Sequence, residues 1–481
     1  MGIGLGALAG GAALAAETAD AGKKKQTNTY TLQREVPVED GYDLVVAGGG
    51  PAGTAAAVCA ARLGAKVLLV EATGCLGGMG TSGLVTAFDP MGDGERMLVG
   101  GFMREVVETM YSRHFLQPGI DPNTWRKHYH RWTPFQVEGY KLVLDEFAQK
   151  AGVEVRFFTR VIDADADPKQ GHVSGVVLQN IEGYQFIRAR TYIDATGDAV
   201  LADLCGAECR EAGRDTEAPM PATLCSLHAG INWPRMGNQH PALKKALADG
   251  HFTQPDRHLP GMSRVNQTVG YLNGGHLFRM NALKCKDLSE GAMLGRRIVQ
   301  EYVDFYRKYV SGCENLQLVA TGSLIGVRES RRIVGEYELN IDDYLARRQF
   351  PDQIAVFNKA VDIHAYDCTE KAYQQYREAY RKTGRLGKGE CHGIPYSILV
   401  PKGWKNLWVA GRCNSSDVKV HGAIRVQPAA SMMGQAAGTA AVQSIRTDQA
   451  ASDLDTETLV VTLRKAGAYL PQKETSKTMT R

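Results

Sequence analysis

Tyr42-Asp43-Leu44-Val45-Val46-Ala47-Gly48-Gly49-Gly50-Pro51-Ala52-Gly53 decides the fold of this chain. An apolar run enters a G-x-G-x-x-G turn, and small residues from Thr54 to Leu63 leave it at helical spacing. In such a strand–turn–helix, Gly48 permits the tight turn and Gly50 lets the main chain approach a pyrophosphate. Gly53 lets the helix pack closely on the strand. The phosphates then meet the turn at Pro51 and Ala52, where unpaired N–H groups and the helix dipole favour negative charge. A second apolar strand, Lys66 to Val70, ends at Glu71, about 20 residues past the last glycine, where a carboxylate accepts hydrogen bonds from a ribose. Strand, helix, strand and acid in register predict a dinucleotide-binding β-α-β unit. The competing reading is a glycine turn in an ordinary α/β domain.

The chain has 481 residues, enough for two or three domains sharing large cores. Its 44% hydrophobic and 22% charged content is ordinary for a globular protein. A net charge of +4, with basic and acidic residues interspersed, argues against nucleic acid or an anionic membrane as partner. Ten cysteines occur without a C-x-x-C pair, so no iron–sulfur, zinc-ribbon or dithiol signature is present. Cys205 and Cys209 read as two packed thiols. His128 and His130 alternate near Trp125 and Trp132 but lack a third ligand, and no metal site is expected.

Beyond the opening unit come a glycine-rich loop, Gly74 to Gly83, and a helical pattern over Arg104 to His114. Residues 116–135 are turn-rich and aromatic and read, within 112–136, as an excursion or lid. A helix over Glu138 to Gly152 leads to a strand at Val153 to Phe158, followed by a hairpin at Val173 to Leu178 and Phe186 to Ala189. Segment 41–205 is then one domain. Residues 206–384 carry more turns and prolines and read as an inserted α+β substrate domain, with a helix over Ser289 to Val310. Segment 385–446 returns to the first domain, and 447–481 is a polar tail.

Three separated segments, 43–87, 191–204 and 406–441, give the pattern its specificity. The run Ile193-Asp194-Ala195-Thr196-Gly197-Asp198 ends a strand in small residues that let a chain pass a pyrophosphate, with Asp198 expected to cap the next helix. Leu407 to Ala410 is a buried-type strand, and a small-residue helix, Pro428 to Ser444, follows. Together these resemble the glutathione-reductase-type flavoproteins, and within them the fumarate reductase/succinate dehydrogenase-like branch. The nearest look is to the broad family called FAD-dependent oxidoreductases. The run Gly326 to Gly335 and the turn Ile394-Pro395-Tyr396 look like that family in particular.

The resemblance implies a Rossmann-like FAD-binding domain, a parallel sheet with helices, plus an inserted substrate domain. FAD would be held by Gly48, Gly50, Pro51, Ala52, Gly53, Glu71, Gly78, Ala195, Thr196, Gly197, Gly411, Arg412 and Gln435. Arg412 stands where many relatives carry an acid. The loop Leu76 to Gly83 lacks the histidine that bonds flavin in the dicarboxylate enzymes, so noncovalent FAD is expected. Val420-His421-Gly422-Ala423-Ile424-Arg425 is similar to the Val-His-Gly-Ala-Asn-Arg run of succinate dehydrogenase and fumarate reductase, which makes Arg425 and His421 candidate substrate-binding or catalytic residues.

Arg328 is a third candidate. With Arg331 and Arg332 it would share a helix face, holding an acidic substrate or tying two domains together. Asp362 and His364 have acid/base types at strand spacing. The function expected is hydride transfer between flavin N5 and a small polar substrate, a carboxylate or a sugar, with an external electron carrier or oxygen as partner. An oxidase or monooxygenase using oxygen is the alternative, and a non-catalytic flavin-binding accessory protein the third. Met1 to Ala16, rich in Gly, Ala and Leu and too short to span a bilayer, reads with Ala19-Asp20-Ala21 as an export signal lacking its basic start. A twin-arginine route to the bacterial periplasm fits a flavoprotein that folds around its cofactor first. A cytoplasmic enzyme with a plain leader is the alternative.

Overall fold

A computed structural model describes residues 30–127, 132–383 and 385–471. The expected export signal and the histidines at 128 and 130 lie outside these residues. Residues 30–37 carry no regular element. The first strand begins at Val38, slightly ahead of the expected start of the domain at residue 41.

Strand β1 (Val38–Ala47) enters the glycine turn, helix α1 (Pro51–Arg62) leaves it, and β2 (Val67–Val70) returns parallel to β1, with Leu44 opposite Val67 and Ala47 opposite Val70. Helices α2 (Gly101–Ser112) and α3 (Val137–Ala151) follow, then the parallel edge strand β3 (Glu154–Arg156) beside β2. Strands β4 (Arg160–Asp167), β5 (His172–Asn180) and β6 (Gly183–Asp194) form an antiparallel meander. Only the second and third of these were expected. Alternate acids in β4 (Asp163, Asp165, Asp167) hide a strand whose outer face is solvated.

The long β6 does two jobs. Its first half pairs with β5, and its second half runs parallel to β1 on one side and to β7 (Leu407–Val409) on the other. Ala47, Val70, Asp194 and Val409 therefore end level at the carboxyl edge of the sheet. Because β1 has β2 on one flank and β6 on the other, the chain leaves β1 at a switch in strand order, where doubly wound sheets open a crevice.

After β7 come a short helix α5, then α6. In this order α4 (Cys285–Tyr309) precedes β7, α5 is Val418–Ile424, and α6 is Gln427–Thr447. Helix α6 is buried along almost its whole length because it packs face to face on α1. Gly434 lies against the Ala52 carbonyl and Gly438 against the Ala56 carbonyl, so close that no side chain fits between. This small-residue seam explains why the Ala/Gly pattern of both helices is apolar all round.

Within 206–384, Ser226–Ala229, Ser263–Arg264, Gly270–Leu272 and Gln317–Thr321 form a four-stranded antiparallel sheet packed beside α4. Leu116, Ile120, Trp125 and Phe135 of the 112–136 segment are buried in the main core with α2 and α3. Residues 328–332 are not helical. Arg331–Ile333 is a strand paired with Cys209–Glu211, so neighbouring arginines point different ways. Among the described residues no helix is long and apolar enough to cross a membrane.

Candidate FAD crevice and active site

The turn after β1 has the geometry of a phosphate cradle. Gly53 approaches the Gly48 carbonyl so closely that a Cβ would fall 1.8 Å from the oxygen, whereas a Cβ on Gly50 would meet nothing within 4 Å. The first contact locks helix to strand. The second leaves open space over the first turn of α1, whose N-terminus favours an anion. Pro51 and Ala52 open that turn, and Gly78 of the glycine-rich loop lies against Gly50. Glu71 is buried at the end of β2, its carboxylate accepting from the N–H of Gly49 (2.7 Å) and from the N–H (2.7 Å) and hydroxyl (2.8 Å) of Thr73. These three donors fix the acid beside the turn, and the remaining lone pairs are available to a ribose.

At the end of β6 the Ala195 N–H donates to the Ala47 carbonyl (2.8 Å), bringing the Ala195-Thr196-Gly197 turn onto the glycine turn. Asp194 accepts from Thr196 and from the Ala202 N–H (2.9 Å), and Thr196 Oγ1 accepts from the Val200 N–H (3.0 Å). The following helix is thus held by Asp194 and Thr196. Asp198, the expected cap, instead accepts from Ser330 Oγ and Arg412.

Arg412 is committed to the protein. Its guanidinium donates to the Gly197 carbonyl (2.7 Å), to Asp198 and to the Val327 carbonyl, clamping the cofactor-side turn to the 326–335 segment. Gly411, at φ +88°, turns the chain between β7 and this clamp. Gln435 is also a tie rather than a free ligand. Its Oε1 accepts from the Phe102 N–H (3.0 Å) and its amide donates to the Ala466 carbonyl, deep in α6. Gln427, which the sequence did not single out, occupies the first position of α6 and donates to the Val85 (2.7 Å) and Ala87 carbonyls. Asn414 Oδ1, Gln427 Oε1 and Ser431 Oγ are buried without a hydrogen-bond partner. An open cradle at Gly50, an oriented carboxylate at Glu71 and orphaned polar atoms around the start of α6 fit an extended dinucleotide. Cys75 contacts Ser82 (3.3 Å) and Thr81 and lies among polar groups of that loop.

The three candidate catalytic residues part company. His421 is fully buried in α5 with Nε2 2.8 Å from the Arg412 carbonyl, and burial among arginines holds its imidazole well below the ordinary value. It is a neutral ring that positions the Arg412 loop. Arg425 closes α5 and donates to the Asp362 carboxylate (3.0 Å) and carbonyl (3.1 Å), while its Nε is buried without a partner. Arg328 is buried, donating to the Pro221 carbonyl (2.5 Å) and Thr223 Oγ1 (3.0 Å). Burial and the nearby Arg425 push its pKa down to about 10, with Asp362 and Asp256 pulling the other way. Arg328 and Arg425 therefore share one electrostatic neighbourhood. Arg331 and Arg332 do not join it: the first pairs with Asp203 (2.8 Å) and the second with Asp215 and the Ser416 carbonyl.

Asp362 and His364 lie 3.4 Å apart in an irregular segment, and Asp362 bridges His364 to Arg425. Gly422 abuts the backbone of Asp362, which keeps that segment on α5. Cys205 and Cys209 are partly or wholly buried thiols pushed up to about 12 by desolvation, inert as expected. An open depression of about 370 Å³ lined by Glu95, Arg96, Arg104 and Tyr469 shares no residue with this region.

Among solved structures, a geranylgeranyl bacteriochlorophyll reductase-like protein from Thermoplasma acidophilum is 13% identical, with 89% of this chain and 83% of that chain covered at a TM-score of 0.43. The flavin-dependent brominase Bmp2 gives the same values. The myxobacterial chondrochloren halogenase CndH is 15% identical over 89% of this chain and 79% of its own, at 0.41. Likenesses at this level carry nothing about substrate. Residues 43–463 match the family described as FAD dependent oxidoreductase, a span that holds the glycine turn, the Ala195–Gly197 turn and the return through β7 and α6. The chain belongs to that family and is an FAD-dependent oxidoreductase.

Proposed function

We propose that this enzyme moves a hydride between flavin N5 and a small substrate carrying a carboxylate. The observation that carries the reading is the burial of two guanidiniums, Arg328 and Arg425, in the field of one carboxylate, Asp362, which contacts Arg425. Desolvation lowers both arginines' pKa values. Guanidinium keeps its proton at neutral pH, so both stay charged in a desolvated place that favours a bound anion. The partnerless Nε of Arg425 supplies a donor to it. The similarity of Val420–Arg425 to the succinate dehydrogenase run supports the same assignment.

The bound flavin contributes a ring that accepts or gives a hydride, and its reduced form carries negative charge that a helix N-terminus stabilises. The chain's own part is positioning. Asp362 aligns Arg425, Arg328 holds the second side of the anion, and Gln427 anchors the start of α6 to residues 85–87.

The test is anaerobic mixing of the holoprotein with carboxylates, neutral sugars and amines while oxidised-flavin absorbance is followed, and of the photoreduced protein with enoates. Carboxylates or enoates alone should exchange electrons, and Arg425→Met should raise the half-saturating concentration by roughly 30-fold or more, equivalent to about 2 kcal/mol. Reduction by neutral sugars or amines instead would defeat the reading. Reoxidation by oxygen alone, with peroxide or a hydroxylated product, would put the oxygen-using alternative in its place.

A further inference from the structure

Beyond Asp362 lies a group of side chains that binding an anion does not use. Asp256 accepts from the main-chain N–H of His258 (2.9 Å) and of His276 (3.2 Å), so one carboxylate fixes the backbone of both. Its Oδ2 also lies 2.9 Å from His276 Nδ1. The other nitrogen of that ring, Nε2, faces His364 Nδ1 at 3.0 Å, and His364 Nε2 faces Asp362. The His258 ring lies over His276 (centroids 5.1 Å, 28°) and edge-on to His364 (5.0 Å, 75°). One nitrogen from each of the three rings lies within 4.8 Å of the others.

A count of protons exposes the problem this cluster must solve. A neutral imidazole has one N–H. If His276 offers its own to Asp256 and His364 offers its own to Asp362, both ionised, then His276 Nε2 and His364 Nδ1 present lone pairs to each other at 3.0 Å. A tautomer that turns one proton inward joins the two rings but leaves a bare nitrogen facing an ionised carboxylate, whereas a cation between them lets both rings keep their N–H on the carboxylate side. An added proton would serve two nitrogens and would leave His258 without a part. A metal ion takes all three. Metal-bound imidazoles typically hand their second nitrogen to a carboxylate, the arrangement Asp256 and Asp362 provide.

We propose that His258, His276 and His364 form a site for a divalent transition-metal ion of the zinc or iron(II) kind, with Asp256 and Asp362 orienting the rings. Three imidazoles at about 2.0–2.1 Å leave a coordination position for water or substrate. Through Asp362, which touches both His364 and Arg425, the ion would neighbour the anion site. The assignment stands whether or not the substrate is a carboxylate.

The probe is cobalt(II). Holoprotein stripped with chelator and titrated with cobalt(II) should bind one ion per chain and show visible ligand-field absorption of a nitrogen-rich site. His258→Ala, at the most exposed of the three rings, should weaken binding at least 100-fold while flavin content and circular dichroism stay unchanged. Asp256→Asn should weaken it by roughly 10- to 100-fold. No stoichiometric cobalt binding to the parent protein, or binding that His258→Ala leaves intact, overturns the proposal. The first of these results would favour the shared proton.

Discussion

The two glycines at the ends of the phosphate turn should fail in opposite ways when given a single methyl group. In Gly53→Ala the new Cβ would lie 1.8 Å from the Gly48 carbonyl oxygen, a main-chain atom that cannot rotate aside. Restoring an ordinary contact means separating α1 from the end of β1 by more than about 1 Å in a close-packed core, an overpacking cost of about 3 kcal/mol or more. In Gly50→Ala the Cβ meets no protein atom within 4 Å, and the backbone, at φ −66°, is one alanine adopts freely. The protein alone should therefore unfold within about 1 kcal/mol of the parent, a weaker N-cap offsetting the lower entropy of the unfolded chain. Its methyl group projects where the pyrophosphate must pass, and FAD affinity should fall by roughly 100-fold, about 2.7 kcal/mol. Urea unfolding of the deflavinated proteins reads the first quantity, and quenching of FAD fluorescence on titration reads the second. Parent-like FAD affinity in Gly50→Ala would refute the placement of the phosphates over this turn. A parent-like urea midpoint in Gly53→Ala would refute the contact.

Two further outcomes test the rest of the fold. His392 is buried against Tyr344 with Nδ1 near the Gly393 carbonyl (3.1 Å), and burial pushes its pKa from 6.5 down to about 4. The unfolded chain takes up this proton first as pH falls. The contribution of neutral His392 is thus complete above pH 6.5 and drains between 6.5 and about 4, by up to about 1.4 kcal/mol per pH unit. His392→Asn keeps a donor for the carbonyl and should flatten urea midpoints across that window, and a slope identical to the parent's would remove the residue from the account. Arg332→Met should cost about 2 kcal/mol, since the guanidinium is 1% exposed while its partner Asp215, 30% exposed, regains some hydration. Arg331→Met, at a side chain 19% exposed whose nearer partner Asp203 is 44% exposed, should cost under about 1 kcal/mol by the same measurement, and a reversed order would show the strand pairing to be misread.

The cofactor crevice was legible because its signals are local. Residues 42–71 set strand, turn, helix, strand and acid in one unbroken stretch, where period and glycine spacing speak directly. The site beside it was not, because its parts are scattered. His276 meets His364 across 88 positions, and no ligand spacing in the chain announces the meeting. Arg328 and Arg425 were named from motifs, but the contact of Arg425 with Asp362 could be placed only by the fold. The arginine run misled because charges at i, i+3 and i+4 look helical, while Ile333-Val334 beside them already favoured a strand. Trp125 was read as a lid residue for lack of any pattern to show that α2 and α3 would cover it. Gln435 and Arg412 lie on motif elements, yet the backbone groups that claim their side chains come from residues 102 and 466, and from 197 and 327.

The seam between α1 and α6 has a consequence for the order in which this protein is made. Arg446 of α6 donates to the Leu63 carbonyl, 383 positions earlier in the chain. At 5–20 residues per second, synthesis leaves the first helix without its partner for on the order of 20–80 s. Throughout that interval the nucleotide fingerprint is complete in sequence but its apolar helix is uncovered, a ready client for chaperones. A chain ending before α6 would carry the fingerprint without the helix that packs on it.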